Sequence, residues 1–240
     1  FDPTPVIINK TSTISNVHRT VPMDSIGIRQ FDDKGKVIGI HIFVGLFTSV
    51  AYDSSARDIP LLKDKVLHIL DRAGFDPNWH DGKALIHILD SLPRDELFQA
   101  TIEELTTIGL AILRLQERPR LAFFLRRDTF DRFLSCLVYI PRDRFDSDLC
   151  ERIGKILARE FKGEVGQYKA QFGSLAFARV HYTITSTHEF EHHYDLKAIE
   201  DKLIYEARSW SDDFKTKIAS THHEVEGAKL YRRYRDAFSR

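Results

Sequence analysis

Cysteine is nearly missing from the 240 residues: Cys136 and Cys150 are the only two, in different predicted elements and without Cys-x-x-Cys spacing. Neither a disulfide framework nor a zinc cluster is indicated, and a reducing cytoplasm fits that usage. A charge excess is missing too. Lys+Arg and Asp+Glu are both 35, so no bulk field draws the chain to nucleic acid or to a membrane surface. The longest apolar runs, such as Val37 to Val50, are broken by Gly39, His41 and Gly45 and are too short to span a bilayer. Neither G-x-G-x-x-G nor a P-loop occurs, and no nucleophile elbow or Cys–His pair stands out. There is no internal repeat and no low-complexity linker. The chain starts at Phe1 and stops within the helix-like "AKLYRRYRDAFSR", which leads us to expect a segment of something longer.

What is present is a 42% hydrophobic content, enough to bury cores in one large domain or a few small ones. Residues 1 to 50 read as strands, with Asp32-Asp-Lys-Gly35 as the turn of a hairpin. The run from Val37 to Phe47 is apolar at nearly every position, the pattern of a strand covered on both faces or crossing a sheet interior. From Pro60 the period changes to about 3.6. Leu62, Val66, Ile69, Leu70 and Ala73 form one stripe, closed by Gly74. Leu85, Ile88, Leu89 and Leu92 mark a second helix that stops at Pro93. Thr101-Ile-Glu-Glu104 has capping-box spacing ahead of a third, with Leu105, Ile108, Ile112 and Leu115 on one side.

The next block alternates. Leu121, Phe123 and Leu125 share one face of a strand, and Leu134, Cys136, Val138 and Ile140 share one face of another. A helix follows through Leu149, Ile153, Ile156, Leu157 and Phe161, ended by Gly163, then the strands "EVGQYKAQF" and "LAFARVHYTI" and a helix capped by Asp195. The expected class is α+β: antiparallel-rich sheets with packed helices, including a ferredoxin-like unit and a helical module. The expected divisions are residues 1–58, 59–118, 119–194 and 195–240. The last of these reads as two helices broken at Ser211-Asp-Asp213.

Three constellations carry a functional reading. In "PRDRFDSD", Pro141 ends a strand and Asp146 or Ser147 caps a helix, while Arg142 and Arg144 beside that helix start are candidate contacts for an anion. Second, His188-Glu-Phe-Glu-His192 matches H-E-x-x-H, in which two histidines one helical turn apart bind zinc and the glutamate, here Glu189, is the general base. That motif needs a helix, whereas this one follows a β-rich run in a histidine-rich tail, so the plainer reading is an exposed polar connector. Third, Arg118, Arg120, Arg126, Arg127 and Arg132 interleave with Phe123 and Phe124, as an RNA-binding sheet would, yet Phe123 alternates as a core residue and the RNA-recognition consensus is absent. Arg126 and Arg127 beside Asp128 read as a solvated strand end, and are also candidate effector contacts. His68, His80 and His87 read as packed or surface residues.

Longer strings go further. "STISNVHRTVPMDSIGIRQFDDKGKVIGIHIFVGLFTSVAY", "RDIPLLKDKVLHILDRAGFDPNWHDGKALIHILDSLPRDELFQ", "ILRLQERPRLAFFLRRDTFDRFLSCLVYIPRDRF" and "LAFARVHYTI" together resemble, in order and spacing, the N-terminal regulatory half of the large bacterial NAD-specific glutamate dehydrogenases. The sequence departs from that pattern at Ile40 and Ile42, where the family tends to be polar, and "HEFEHH" is outside the resemblance. By resemblance, residues 1–58 are a PAS-like β-rich part, 59–118 a helical module, 119–194 an ACT-like domain and 195–240 a C-terminal helical segment. The resemblance implies a non-catalytic regulatory and oligomerisation segment of a cytoplasmic enzyme that converts L-glutamate and NAD to 2-oxoglutarate and ammonia. No catalytic or cofactor residue is carried over; NAD belongs to the parent enzyme. The implied partners are the catalytic domain of the same chain, other subunits of a homo-oligomer and an amino-acid effector, with no nucleic acid or membrane. The competing classes are a zinc-dependent hydrolase built on His188, Glu189 and His192, and a structural interaction module without ligand.

Overall fold

The Asp32 carboxylate accepts hydrogen bonds from the backbone N–H groups of Lys34 (2.9 Å) and Lys36 (2.8 Å), and Gly35 takes a φ of 76° that other residues resist. This turn joins β2 (Pro22–Phe31) to β3 (Val37–Gly45), and β1 (Val6–Ile14) pairs with the other side of β2. All three strands are antiparallel. The computed structural model describes residues 5–17, 20–117, 119–166, 168–173, 176–208, 210–234 and 237. The chain divides into two units, Phe1–Arg114 and Leu115–Arg240.

The strand β3 departs from its sequence reading. Rather than being covered on both faces, it is an edge strand on which every residue but Gly39 is exposed. An unbroken apolar run reports that a strand needs covering; it does not report whether the cover lies within these residues.

The rest of the first unit is helical: α1 (Ser49–Asp53), a 3-10 turn (Ala56–Asp58), α2 (Pro60–Ala73), α3 (His80–Ser91), α4 (Arg94–Gln99) and α5 (Ile102–Glu117). Pro60 occupies the first position of α2 and Gly74, at φ 71°, terminates it. The capping box forms: Thr101 Oγ1 accepts from the Glu104 N–H (3.2 Å), and Glu104 Oε2 accepts from the Thr101 N–H (2.8 Å). The short helix α4 was not anticipated, because Pro93 reads as a stop and six residues show no stripe; the same proline also suits the start of a helix. Lys65 Nζ donates to the carbonyls of Leu97, Phe98 and Ala100 at 2.8–3.0 Å, satisfying the end of α4. The core joins Leu62, Val66 and Ile69 to Leu85, Leu89, Leu105 and Ile112, all buried. Each contributes about 1.5–3 kcal/mol by leaving water.

The second unit runs β4 (Ala122–Arg127), β5 (Phe133–Pro141), a 3-10 turn (Arg142–Arg144), α6 (Ser147–Glu160), β6 (Glu164–Val165), β7 (Lys169–Phe172), β8 (Phe177–Thr185), α7 (Leu196–Glu206), α8 (Trp210–Thr221) and α9 (Glu224–Tyr234). The antiparallel sheet has the order β4-β5-β8-β6, with β7 also pairing β8. "EVGQYKAQF", read as one strand, is therefore two short ones on the same neighbour. Among the described residues the tail carries three helices, not two. Ser211 to Asp213 lie in the first turn of α8, where a carboxylate such as that of Asp213 suits the positive end of the helix dipole.

The helices α6 and α7 lie against one face of this sheet. Leu134, Cys136, Val138, Val180 and Ile184 meet Leu149, Ile153, Leu157, Ile199 and Leu203 there. The Tyr182 hydroxyl donates to the Cys150 carbonyl (2.9 Å), and burial pushes its pKa far up, so it stays a neutral donor.

The tightest approach in the first unit is at Gly82. A Cβ there would stand 1.9 Å from the Asp76 carbonyl oxygen and 3.0 Å from Pro77 Cα, both backbone atoms. Gly82→Ala is therefore expected to cost about 2–3 kcal/mol, read as a lower urea midpoint with the m-value unchanged. An unaltered midpoint would mean that the loop before α3 is not held against it.

Candidate functional site

The charged corner is built from the end of β5 and the start of α6. Pro141 ends the ladder, Asp146 Oδ1 accepts from the Leu149 N–H at 2.6 Å, and Cys150 N–H bonds the Asp146 carbonyl. The Arg142 guanidinium donates to the Gly173 carbonyl, its N–H bonds the Ala176 carbonyl, and Phe145 meets Phe172 edge-on at 4.8 Å. One of the free amides at the start of α6, that of Leu149, is taken by the chain's own carboxylate. Arg142 stays exposed and Arg144 is half-buried.

The other two candidate arginines lie at the far end of the sheet. In register, Arg126 faces Ser135. Pro141 lies six residue steps along β5 from Ser135, roughly 20 Å at 3.3–3.4 Å per step. The four arginines thus do not converge on one ligand. Nor do Arg126 and Arg127 share a face. Arg126 is buried, 6.0 Å over the Phe133 ring. Arg127 pairs with Asp131 and donates to the carbonyls of Phe190 (3.1 Å) and Glu191 (2.9 Å).

The solvated strand end expected beside Asp128 is instead a buried one. The Asp128 carboxylate binds the Arg132 guanidinium at 2.7 and 2.9 Å and accepts from the N–H groups of Phe130 (3.1 Å) and Arg132 (3.3 Å). Burial pushes its pKa up, but these bonds and the Arg132 charge outweigh it, and the net direction is downward. Of the remaining residues in the proposed RNA-facing cluster, Arg118 lies outside the described residues.

The His188–His192 stretch is an irregular connector between β8 and α7, so the two histidines are not stacked on a helical face. Both are exposed, as is Glu189. Phe190 alone turns inward and joins the core. The connector is fixed at its backbone by Arg127, by the Tyr194 hydroxyl accepting from the Glu191 N–H (2.9 Å), and by Ser186 Oγ accepting from the His188 N–H (3.0 Å). Among the described residues no group of three or more His, Cys, Asp and Glu is placed to hold a metal.

Sequence reading missed a polar face. On the side of the sheet away from α6, Ser135 Oγ and His181 Nε2 are 2.8 Å apart, Arg179 pairs with Gln171, and the Tyr139 hydroxyl lies beside Arg179 without a well-formed hydrogen bond. Arg126, Ser135, Tyr139 and Arg179 are all buried. Burial raises the Tyr139 pKa to about 12, with Arg179 opposing part of the rise. Burial likewise raises the Cys150 thiol, which leaves it a poor nucleophile. Neither the Tyr139 phenol nor the Cys150 thiol is therefore suited to giving up a proton near neutral pH. Alternation in "FLSCLVYI" contained a faint signal, since Ser135 and Tyr139 interrupt a strand otherwise apolar on both faces.

Comparison with known proteins places these elements. Residues 59–118 match the family model described as glutamate dehydrogenase, helical motif 1, and residues 122–211 match glutamate dehydrogenase, ACT2 domain. The NAD-specific glutamate dehydrogenase of Halomonas elongata is 39% identical over 229 residues, that of Pseudomonas aeruginosa 36% over 228, and that of Mycobacterium tuberculosis 34% over 160. These stretches cover 95%, 94% and 67% of the chain and 14%, 14% and 10% of the relatives. The chain thus spans about one seventh of the first two.

Phe190→Ala is expected to lose about 3 kcal/mol in urea unfolding, while the double variant His188→Ala, His192→Ala shifts stability by less than about 0.5 kcal/mol; a large loss from the histidine pair would revive the metal reading. Asp128→Asn is expected to cost about 2–4 kcal/mol at pH 7. Because the folded-state pKa of Asp128 is depressed, its contribution is full above the unfolded value near ~3.9 and fades as pH falls below it. The gap between wild type and Asp128→Asn should therefore close in acid, and a gap that persists at low pH would refute the assignment.

Proposed function

The chain belongs to the NAD-specific glutamate dehydrogenases, through their helical motif 1 and ACT2 domain, and from that premise we propose that it is a regulatory and assembly segment of such an enzyme rather than the part that turns over substrate. The parent subunit oxidatively deaminates L-glutamate to 2-oxoglutarate with NAD in the cytoplasm, and its catalytic domain lies outside these residues. The observation that carries this reading is the adjacency, in one order, of two glutamate dehydrogenase modules over 59–118 and 122–211, within an alignment covering 95% of the chain. No helix among the described residues is long and apolar enough to cross a membrane.

The divisions at 58, 118 and 194 belong to the same proposal, with a PAS-like part first. So does sensing of an amino-acid effector. Of the four candidate arginines, Arg142 is the most exposed and stands with Arg144 beside the start of α6, which favours this pair for its carboxylate over the buried Arg126, although Arg142 and Arg127 each already hold a backbone carbonyl. Contacts with other subunits of a homo-oligomer complete the reading.

The full-length subunit is expected to form NADH from L-glutamate and NAD, whereas residues 1–240 alone give none; absence of glutamate-dependent NADH formation by the full-length subunit would overturn the reading. Calorimetry of the 240-residue chain against a panel of amino acids should give saturable heat with one of them, weakened about tenfold or more by Arg142→Ala through loss of a charge-assisted bond. No heat with any amino acid would leave assembly as the role.

A further inference from the structure

Sheet edges expose unpaired N–H and C=O groups, and proteins protect them by shortening the strand, bulging it, placing charge on it or covering it. Three edges here are protected. The strand β1 has Lys10 and a register shift between Lys10 and Ile14; β4 ends in Arg126 and Arg127, and its Phe123 N–H meets the Glu200 carboxylate (3.4 Å); β7 has four residues including Lys169. The fourth edge, β3, is long, uncharged and uncovered among the described residues. Its nine residues, VIGIHIFVG, contain no Asp, Glu, Lys, Arg or Pro, and its one register shift lies at Ile38 beside the hairpin turn, which leaves Gly39 to Gly45 in unbroken register. Ile38 is 66% exposed, Ile40 47%, Ile42 62%, Phe43 59% and Val44 54%. Neighbouring Ile28 and Phe31 of β2 are exposed as well.

We infer that the free edge of β3 receives a β-strand from the same subunit's polypeptide lying outside residues 1–240, completing the three-stranded sheet by strand addition. This rests on the reading of the chain as one part of a longer dehydrogenase subunit. Main-chain bonds along nine residues supply the affinity, and Ile38, Ile40, Ile42 and Val44, alternating on one face, select an apolar partner strand. The same edge also fits a second copy of this chain, but concentration decides against it. A tethered strand is present at an effective concentration on the order of millimolar, about a thousandfold above a separate subunit at micromolar levels. The relatives provide the tether's source, since the aligned stretch is 14% of their length.

Hydrogen exchange read at β3 tests this. In the 240-residue chain, the β3 amides that do not bond β2 should exchange with little protection, and in the full-length subunit they should be slowed by about 100-fold or more. Ile42→Lys should leave the unfolding midpoint of the 240-residue chain unchanged and reverse the protection in the full-length subunit. Equal exchange in both proteins would overturn the inference. So would protection in the 240-residue chain that rises with its concentration as its mass doubles, which would assign the edge to a second copy. NADH formation by the same full-length preparation is read separately, so a failure of the activity reading is distinguishable from a failure of strand addition.

Discussion

The pairing of β5 with β8 is the constraint from which the second unit follows. Nine residue pairs, from Phe133 with Thr185 to Pro141 with Phe177, set these two strands side by side at the centre of the sheet. Because side chains alternate, this register sends Cys136, Val138, Val180 and Tyr182 to the face covered by α6 and α7, and Ser135, Tyr139, Arg179 and His181 to the other. A slip of one residue would exchange the two sets, burying arginine and histidine against Leu149 and Ile153. Desolvating the arginine against that apolar face without its partners costs several kcal/mol, and the histidine would lose its hydrogen bond to Ser135, so the register is strongly specified.

Charge in this unit serves chiefly to hold backbone in place. Arg127 spans from its strand end to two connector carbonyls, Arg132 locks the Asp128 turn, and Arg142 ties the 3-10 corner to the chain before β8. Each guanidinium satisfies carbonyl or carboxylate groups that irregular backbone leaves open. The arrangement explains how a connector containing three histidines can be fixed without metal ligands in register: Phe190 is seated in the core, and its carbonyl is held by Arg127. The ion pairs between α6 and α7, Arg152 with Glu206 and Lys202 with Glu160, are exposed and contribute little beyond orientation.

Legibility in the sequence followed the range of the interaction concerned. The turn at Asp32, the capping box at Thr101, the stop at Gly74 and the cap at Asp146 are all decided within about four residues, and each forms as read. Misreadings arose where a residue type has two uses. Pro93 serves as a helix start as well as a stop, Asp213 as a first-turn residue as well as a breaker, and H-E-x-x-H as a connector whose phenylalanine matters more than its histidines. For the candidate site, the sequence supplied four arginines with the right chemistry, and only the strand register showed them roughly 20 Å apart.

The amino-acid order by itself determined most element types, the caps at Gly74, Thr101 and Asp146 and the family, because periodicity, local hydrogen bonding and long matching strings need no knowledge of what lies across the sheet. Tertiary structure alone decided which apolar strand is an uncovered edge, which arginines are buried and which polar groups share a face. Those properties depend on neighbours distant in the chain, and solvent exposure is a property of the assembled surface, not of any segment read alone.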